Sequence, residues 1–160
     1  MQSKIKTIGV TAIWLLLAAG LFLYFDGRYH PNTAERLGSQ AEVVLKRDLS
    51  GHYRAEAIIN GMTASVMVDT GATEVSVSRR LADKLGIQSN AAVTMHTANG
   101  DTVAYMTRLA SIRLGGIEAN DVAAMISPNL DGDVLLGMSF LNRMDVRLYK
   151  GTMTIRKVTD

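Results

Sequence analysis

Eighteen consecutive residues near the start of the chain, Ile8 to Phe25, carry no charge. The run reads Ile-Gly-Val-Thr-Ala-Ile-Trp-Leu-Leu-Leu-Ala-Ala-Gly-Leu-Phe-Leu-Tyr-Phe. As a helix it would be about 27 Å long, which just spans the hydrocarbon of a bilayer. The pattern therefore divides the chain into a short tail (residues 1–7), a transmembrane anchor (8–25) and everything beyond it. Lys4 and Lys6 precede the run and Asp26 follows it. The positive-inside bias places the N-terminus in the cytoplasm and the remainder of the chain across the membrane. Tyr24 and Tyr29 stand where interfacial aromatic anchors are expected. A cleaved signal sequence would have a shorter apolar region ending at small residues. Here Ala18-Ala19-Gly20 is followed by five more apolar or aromatic residues, so a retained anchor is expected. Either reading exports the domain.

Residues 26–42 are polar, weakly periodic and contain one of the two prolines. They read as a linker lifting the domain off the membrane. The chain of 160 residues has no cysteine, which excludes disulfides, thiol catalysis, zinc–thiolate sites and iron–sulfur clusters. The net charge is +2 with no dense Lys/Arg run, so nucleic acid is not an expected partner. His30, His52 and His96 stand apart without metal-ligand spacing. They read as solvated or structural, and no metal or cofactor is expected.

From residue 43 the character is that of short strands. Asn60-Gly61 between His52–Ile59 and Met62–Val68 signals a hairpin with a two-residue turn. A second hairpin is expected around Asn99-Gly100, with a small polar tip suited to a projecting loop, and a third around Gly115-Gly116. Ser78 reads as the cap of a helix over 79–85 that stops at Gly86. Val134-Leu135-Leu136 is a further short strand closed by Gly137, followed by one or two helical turns over Met138–Met144. A terminal hairpin turns at Lys150-Gly151. The pattern is a mostly-β, barrel-like domain over 43–160.

Within it, the strand Val66-Met67-Val68 ends at Asp69, followed by Thr70-Gly71-Ala72-Thr73. Burial of the strand would hold this carboxyl rigidly while the turn opens it to substrate. Gly71 is expected to take a backbone conformation that a Cβ would forbid. Asp-(Thr or Ser)-Gly arises by accident about once per 2,000 positions at average residue usage, so the tripeptide alone is only moderately informative. The bland reading is a strand ending in an Asx-type turn.

The order of three features, Asp69 to Thr73, the Asn99-Gly100 hairpin and Leu135-Leu136-Gly137, resembles the retropepsin-like aspartic proteases, in particular their membrane-anchored bacterial members. The continuation Gly137-Met-Ser-Phe-Leu is similar to that subgroup. The resemblance covers about residues 43–160 and implies an all-β half-barrel of the acid protease fold. It implies that Asp69 supplies half of a catalytic dyad, in which two facing carboxyls share one proton. It also implies that Asn99 and Gly100 belong to a flap closing over substrate. Only one Asp-Thr-Gly is present, and Asp131 and Asp133 lack the turn. A protease would then be a two-fold homodimer, with Asp69 from each copy on the axis and Thr70 bracing the two turns.

Two functions follow as expectations. One is an aspartic endopeptidase of a bacterial inner membrane, its domain periplasmic, acting on exported or membrane-attached protein substrates. The alternative is a non-catalytic dimerisation or peptide-binding module on the same fold.

Overall fold

The hydrophobic periodicity resolves into many strands and a few helices in the computed structural model, which describes residues 2–33, 37, 41–97 and 100–158. The uncharged run lies within helix α1 (Gln2–Tyr29), and the segment Ile8–Tyr29 is long and apolar enough to cross a membrane, with none of it buried against the domain. The domain follows as β1 (Glu42–Lys46), β2 (Tyr53–Ile59), β3 (Met62–Val68), β4 (Val75–Ser78), α2 (Arg79–Lys84), β5 (Ala92–Thr97), β6 (Gly100–Leu114), β7 (Ile117–Ser127), β8 (Val134–Leu136), α3 (Met138–Leu141), β9 (Met144–Tyr149) and β10 (Thr152–Lys157).

Strand alternation explains the layering. In β2 every second residue from Tyr53 to Ile59 is buried, as expected for a sheet with one wet face. All four residues of β4 are buried, because β4 lies between β7 and β8 and is covered on both faces. The main sheet runs β2-β3-β8-β4-β7-β6, and β6 pairs back onto β2 through Ile58 with Arg113 and Ile59 with Ile112. Six strands thus close into a barrel, leaving β5 attached to the outer half of β6. Ile59, Leu109, Ile112, Leu114, Ile117, Ile126 and Leu136 fill its interior and are all but inaccessible. A second, three-stranded sheet in the order β1-β10-β9 adds Val43, Leu45, Met153 and Ile155 to the same core.

The turns behave as their residues dictate. Asn60 and Gly61 have φ of 48° and 87°, and Lys150 and Gly151 have 44° and 77°. Both pairs make the left-handed two-residue turn that matches strand twist. Asn60 also ties its turn to β6, its backbone N–H donating to Ser111 O and its side-chain Oδ1 accepting from Ser111 N–H. Ser78 caps α2 by accepting from Leu81 N–H, and Gly86 ends that unit at φ 66°.

Three expectations need correction. The second and third hairpins are not separate: β6 is one 15-residue strand that pairs with β5 at its outer end and with β7 along the rest. The histidines are not isolated, since the His30 ring meets Asp26, that of His52 meets Ser50 and that of His96 meets Asp101. Among the described residues no group of His, Asp or Glu has the arrangement of a metal site. Finally, several described residues of the segment 26–42 are tied to the helix or to the domain. Helix α1 runs through Asp26 to Tyr29, Asn32 is buried against β1 and β2, and Leu37 packs on the core. A polar composition hid this because Asn32 is held by hydrogen bonds rather than by apolar contact.

The corner between β1 and β2 is organised by Asp48. Burial pushes its carboxyl up, but Ser50 Oγ–H, the backbone N–H groups of His52 and Ser50, and the Arg54 guanidinium together hold it below the ordinary value of 3.8. The ionised form is therefore favoured by folding. Its stabilisation is present above the unfolded-state value and is lost as pH falls through the lower folded-state value. Asp48→Asn should lower Tm by several degrees at pH 7. The difference from the native chain should shrink steadily below about pH 4, read by thermal melts over pH 2.5–7.

Candidate active site

Strand β3 carries the apolar run to Val68 and ends at Asp69, which is partly exposed, with Thr70 and Gly71 open to solvent. The turn from Asp69 to Glu74 then leads into β4. Strand β8 inserts between the two strands that flank this turn, parallel to β3 and antiparallel to β4. Its register sets Leu136 beside Val68, so that Leu136 O accepts the Asp69 backbone N–H at 3.1 Å.

The carboxyl is fixed from its own turn as well. Gly71 N–H donates to Asp69 Oδ1 at 2.8 Å, and Ala72 N–H donates to Asp69 O. The sequence reading gave Gly71 a special backbone conformation; instead its φ is ordinary for an L-residue, and a Cβ there would stand 3.1 Å from Asp69 Oδ1. The glycine leaves room for the carboxylate.

Beneath the turn, residues 137–139 supply its floor. Met138 N–H donates to Ala72 O at 2.8 Å and Ser139 N–H to Thr73 O at 2.9 Å. A Cβ on Gly137 would overlap Glu74 O and come within 2.7 Å of Ala72 O. The glycine after Leu135-Leu136 is thus set by a close backbone approach. Leu135 is half-buried and lies between Met67 and Ser76. Ser139, not singled out from the sequence, is a second brace: its Oγ donates to Ala123 O at 2.7 Å and accepts from Val75 N–H at 2.9 Å. The only sequence signal for it was its place in Gly137-Met-Ser-Phe-Leu.

The remaining expected site residues lie further out. Gly100 opens β6 with φ 103° and pairs with Thr97. Asn99 lies outside the described residues. Among the described residues the β5–β6 hairpin pairs with the barrel through β6, and much of its outer part is exposed. A cleft of about 270 Å³ lies between Glu74, the β6 residues Met106 to Arg108 and the β7 residues Ala123 to Met125. Glu74 Oε2 is buried there without a hydrogen-bond partner among the described residues. Arg108 is committed to Asp121: that hydrogen bond raises the guanidinium's pKa and lowers the carboxyl's.

The Asp69 turn is thus an acid at the end of β3 with β8 threaded beneath it. The chain matches the family described as "gag-polyprotein putative aspartyl protease" over residues 55–143. It is 30% identical to a retropepsin-like aspartic protease from Rickettsia conorii, with a TM-score of 0.65, covering 72% of this chain and 90% of that one. The chain belongs to the retropepsin-like aspartic protease family. The EIAV protease in complex with the inhibitor HBY-793 shares the fold at 17% identity, with a TM-score of 0.50 over 59% of this chain and 88% of that one. An uncharacterized protein in the cobV 5′ region of a Sinorhizobium species is 37% identical over 112 residues, 67% of this chain and 48% of that protein. An uncharacterized protein of Rickettsia prowazekii is 35% identical over 105 residues, 64% of this chain and 45% of its own length. The chain spans about half the length of these curated relatives.

Two substitutions test the floor of the turn. Gly137→Ala should cost about 3 kcal/mol, because the obstruction is backbone that cannot rotate away. Ser139→Ala should cost about 1–3 kcal/mol by stranding the buried Val75 N–H and Ala123 O. Chemical denaturation of each variant against the native chain measures both. A Gly137→Ala protein of native stability would contradict the packing described.

Proposed function

We propose that the protein is a membrane-anchored aspartic endopeptidase, active as a homodimer in which each copy contributes Asp69. The observation that carries this reading is the Asp69 turn itself. It is locked by backbone hydrogen bonds from above and below, yet its carboxyl is left accessible and without a second acid of the same kind in the chain. A structural carboxylate would be satisfied by partners within its own domain, whereas this one is rigid and half-open.

In the dimer the two Asp69 carboxyls would face each other and share one proton. The ionised member acts as general base on a water molecule, which attacks the peptide carbonyl. The protonated member polarises that carbonyl and then delivers its proton to the leaving amine. Thr70 braces the two turns, and the β5–β6 hairpin with Asn99 and Gly100 closes over the peptide. Helix α1 serves as the anchor, with the N-terminus cytoplasmic and the barrel periplasmic. Confining two copies to a plane raises their effective concentration and favours the dimer.

Asp69→Asn and Asp69→Ala should abolish cleavage of an unfolded protein substrate at mildly acidic pH while leaving melting temperature and dimer mass unchanged. The native activity should be suppressed by a statine-type inhibitor. Retained cleavage by Asp69→Ala would refute the assignment. An inactive native chain that still binds extended peptides would favour the binding-module alternative.

A further inference from the structure

The way the anchor is joined to the barrel fixes where the Asp69 turn sits. Helix α1 ends at Tyr29, and Pro31 follows after one residue. A proline locks its own φ and restricts the residue before it, so this joint is stiff. Asn32 comes next and is only 6% exposed. Its side-chain amide donates to Lys46 O and Arg54 O, both at 2.8 Å, and its Oδ1 accepts Lys46 N–H at 2.7 Å. Every strong hydrogen-bonding group of the amide is used, in the manner of an added strand residue. The clamp grips β2 at Arg54, and Arg54 is paired with Met67 of β3, two residues before Asp69. The anchored end of the β2–β3 hairpin is thus the end that carries the acid, and the Asn60-Gly61 turn is the far end.

Chain geometry limits the reach. Three residues from Tyr29 to Asn32, one side-chain bridge, one strand spacing and two residues of β3 put Asp69 no more than about 30 Å from the end of α1. We propose that this is a juxtamembrane protease whose substrates are segments of other membrane-attached chains lying next to the bilayer surface, with the Asn32 clamp setting that reach. The assignment rests on the endopeptidase reading above. A domain lifted on a free linker of seventeen residues would sample a much wider shell and would not discriminate by height.

The chain's lack of cysteine allows single labels to be placed in the full-length protein reconstituted in phosphatidylcholine/phosphatidylglycerol vesicles. Energy transfer from a dye at Leu49→Cys, in the β1–β2 loop beside the clamp, to headgroup acceptors should be stronger than from Thr63→Cys at the far end of the hairpin. Inserting ten Gly/Ser residues between Tyr29 and His30 keeps the clamp but should weaken both signals. Two vesicle-anchored reporters would carry the same unfolded casein segment, either 5 or 40 residues from their own membrane span. The native chain should cut the near reporter at least ten-fold faster, and the insertion variant or detergent solubilisation should reduce that ratio to about one. Asn32→Asp, which sets a carboxylate against two carbonyls, should narrow the ratio without loss of Asp69-dependent cleavage. Equal cutting of both reporters by the native chain, with Asp69→Ala inactive, would overturn the inference and leave the protease reading standing. Cleavage that persists in Asp69→Ala, or cleavage of neither reporter, would overturn both. Stronger transfer from the Thr63 label than from the Leu49 label would overturn the placement whatever the reporters show.

Discussion

The insertion of β8 between β3 and β4 is the constraint on which the rest of the domain depends. Without it the two strands flanking Asp69 would have no common partner, and the turn joining them would be an ordinary exposed loop. With it, the Asp69 N–H is spent on Leu136 O, and the carbonyls of Ala72 and Thr73 on the N–H groups of Met138 and Ser139. Such an arrangement tolerates no side chain at residue 137, because backbone lies where a Cβ would point. The same insertion sets β4 between β8 and β7 in the barrel wall, buried on both faces, so that the turn is continuous with the packed core. A catalytic acid benefits from this continuity, since a carboxyl that wanders by an ångström loses its geometry.

The sequence was most legible where a local rule and a tertiary need coincide. Asn60-Gly61 and Lys150-Gly151 announced their turns because only a few residues accept positive φ in succession. Ser78 announced a helix start because its hydroxyl is the cheapest acceptor for an orphan N–H. Asp69, Leu136 and Gly137 were readable as a set only through the resemblance, since three short apolar residues before a glycine carry little information by themselves. Elements that depend on long-range partners were illegible. Nothing in the run from Gly100 to Leu114 shows that one strand serves two hairpins, because the partner switches from β5 to β7 at Tyr105 with no glycine, proline or asparagine to mark it. Ser139 looks like any helix-start serine, yet it ties β4 to β7. Asn32 sits in a polar stretch that composition assigns to a linker, and its role appears only when Lys46 and Arg54 are folded beside it.

The two sheets divide the labour. The closed barrel positions the acid, while the β1-β10-β9 sheet seals one side of the core and receives the incoming chain. Asp48 joins these tasks at the β1–β2 corner, where Arg54 is bound by its side chain to Asp48 and by its carbonyl to Asn32. Both contacts lie on β2, where Arg54 is paired with Met67 of the strand that precedes Asp69. The end of α1 and the Asp69 turn are therefore joined by a short series of contacts even though 40 residues separate Tyr29 from Asp69 in sequence.

That adjacency bears on why a half-site can be useful. A soluble chain with one acid relies on concentration alone to complete its dyad, and association costs several kcal/mol of lost freedom. An anchored chain has already surrendered motion along the membrane normal and most of its tumbling. A joint as short as Tyr29–Asn32, with the dihedrals around Pro31 restricted, would remove more by limiting how far the barrel swings about its helix. What remains is lateral diffusion and rotation about the helix axis, so an encounter between two copies starts with both turns at the same height. A long flexible linker would retain the confinement but discard this alignment. In the proposed dimer, the brief Tyr29–Asn32 joint and the buried amide that ends it would serve the site in two ways, bringing Asp69 near the membrane and bringing two such acids into register.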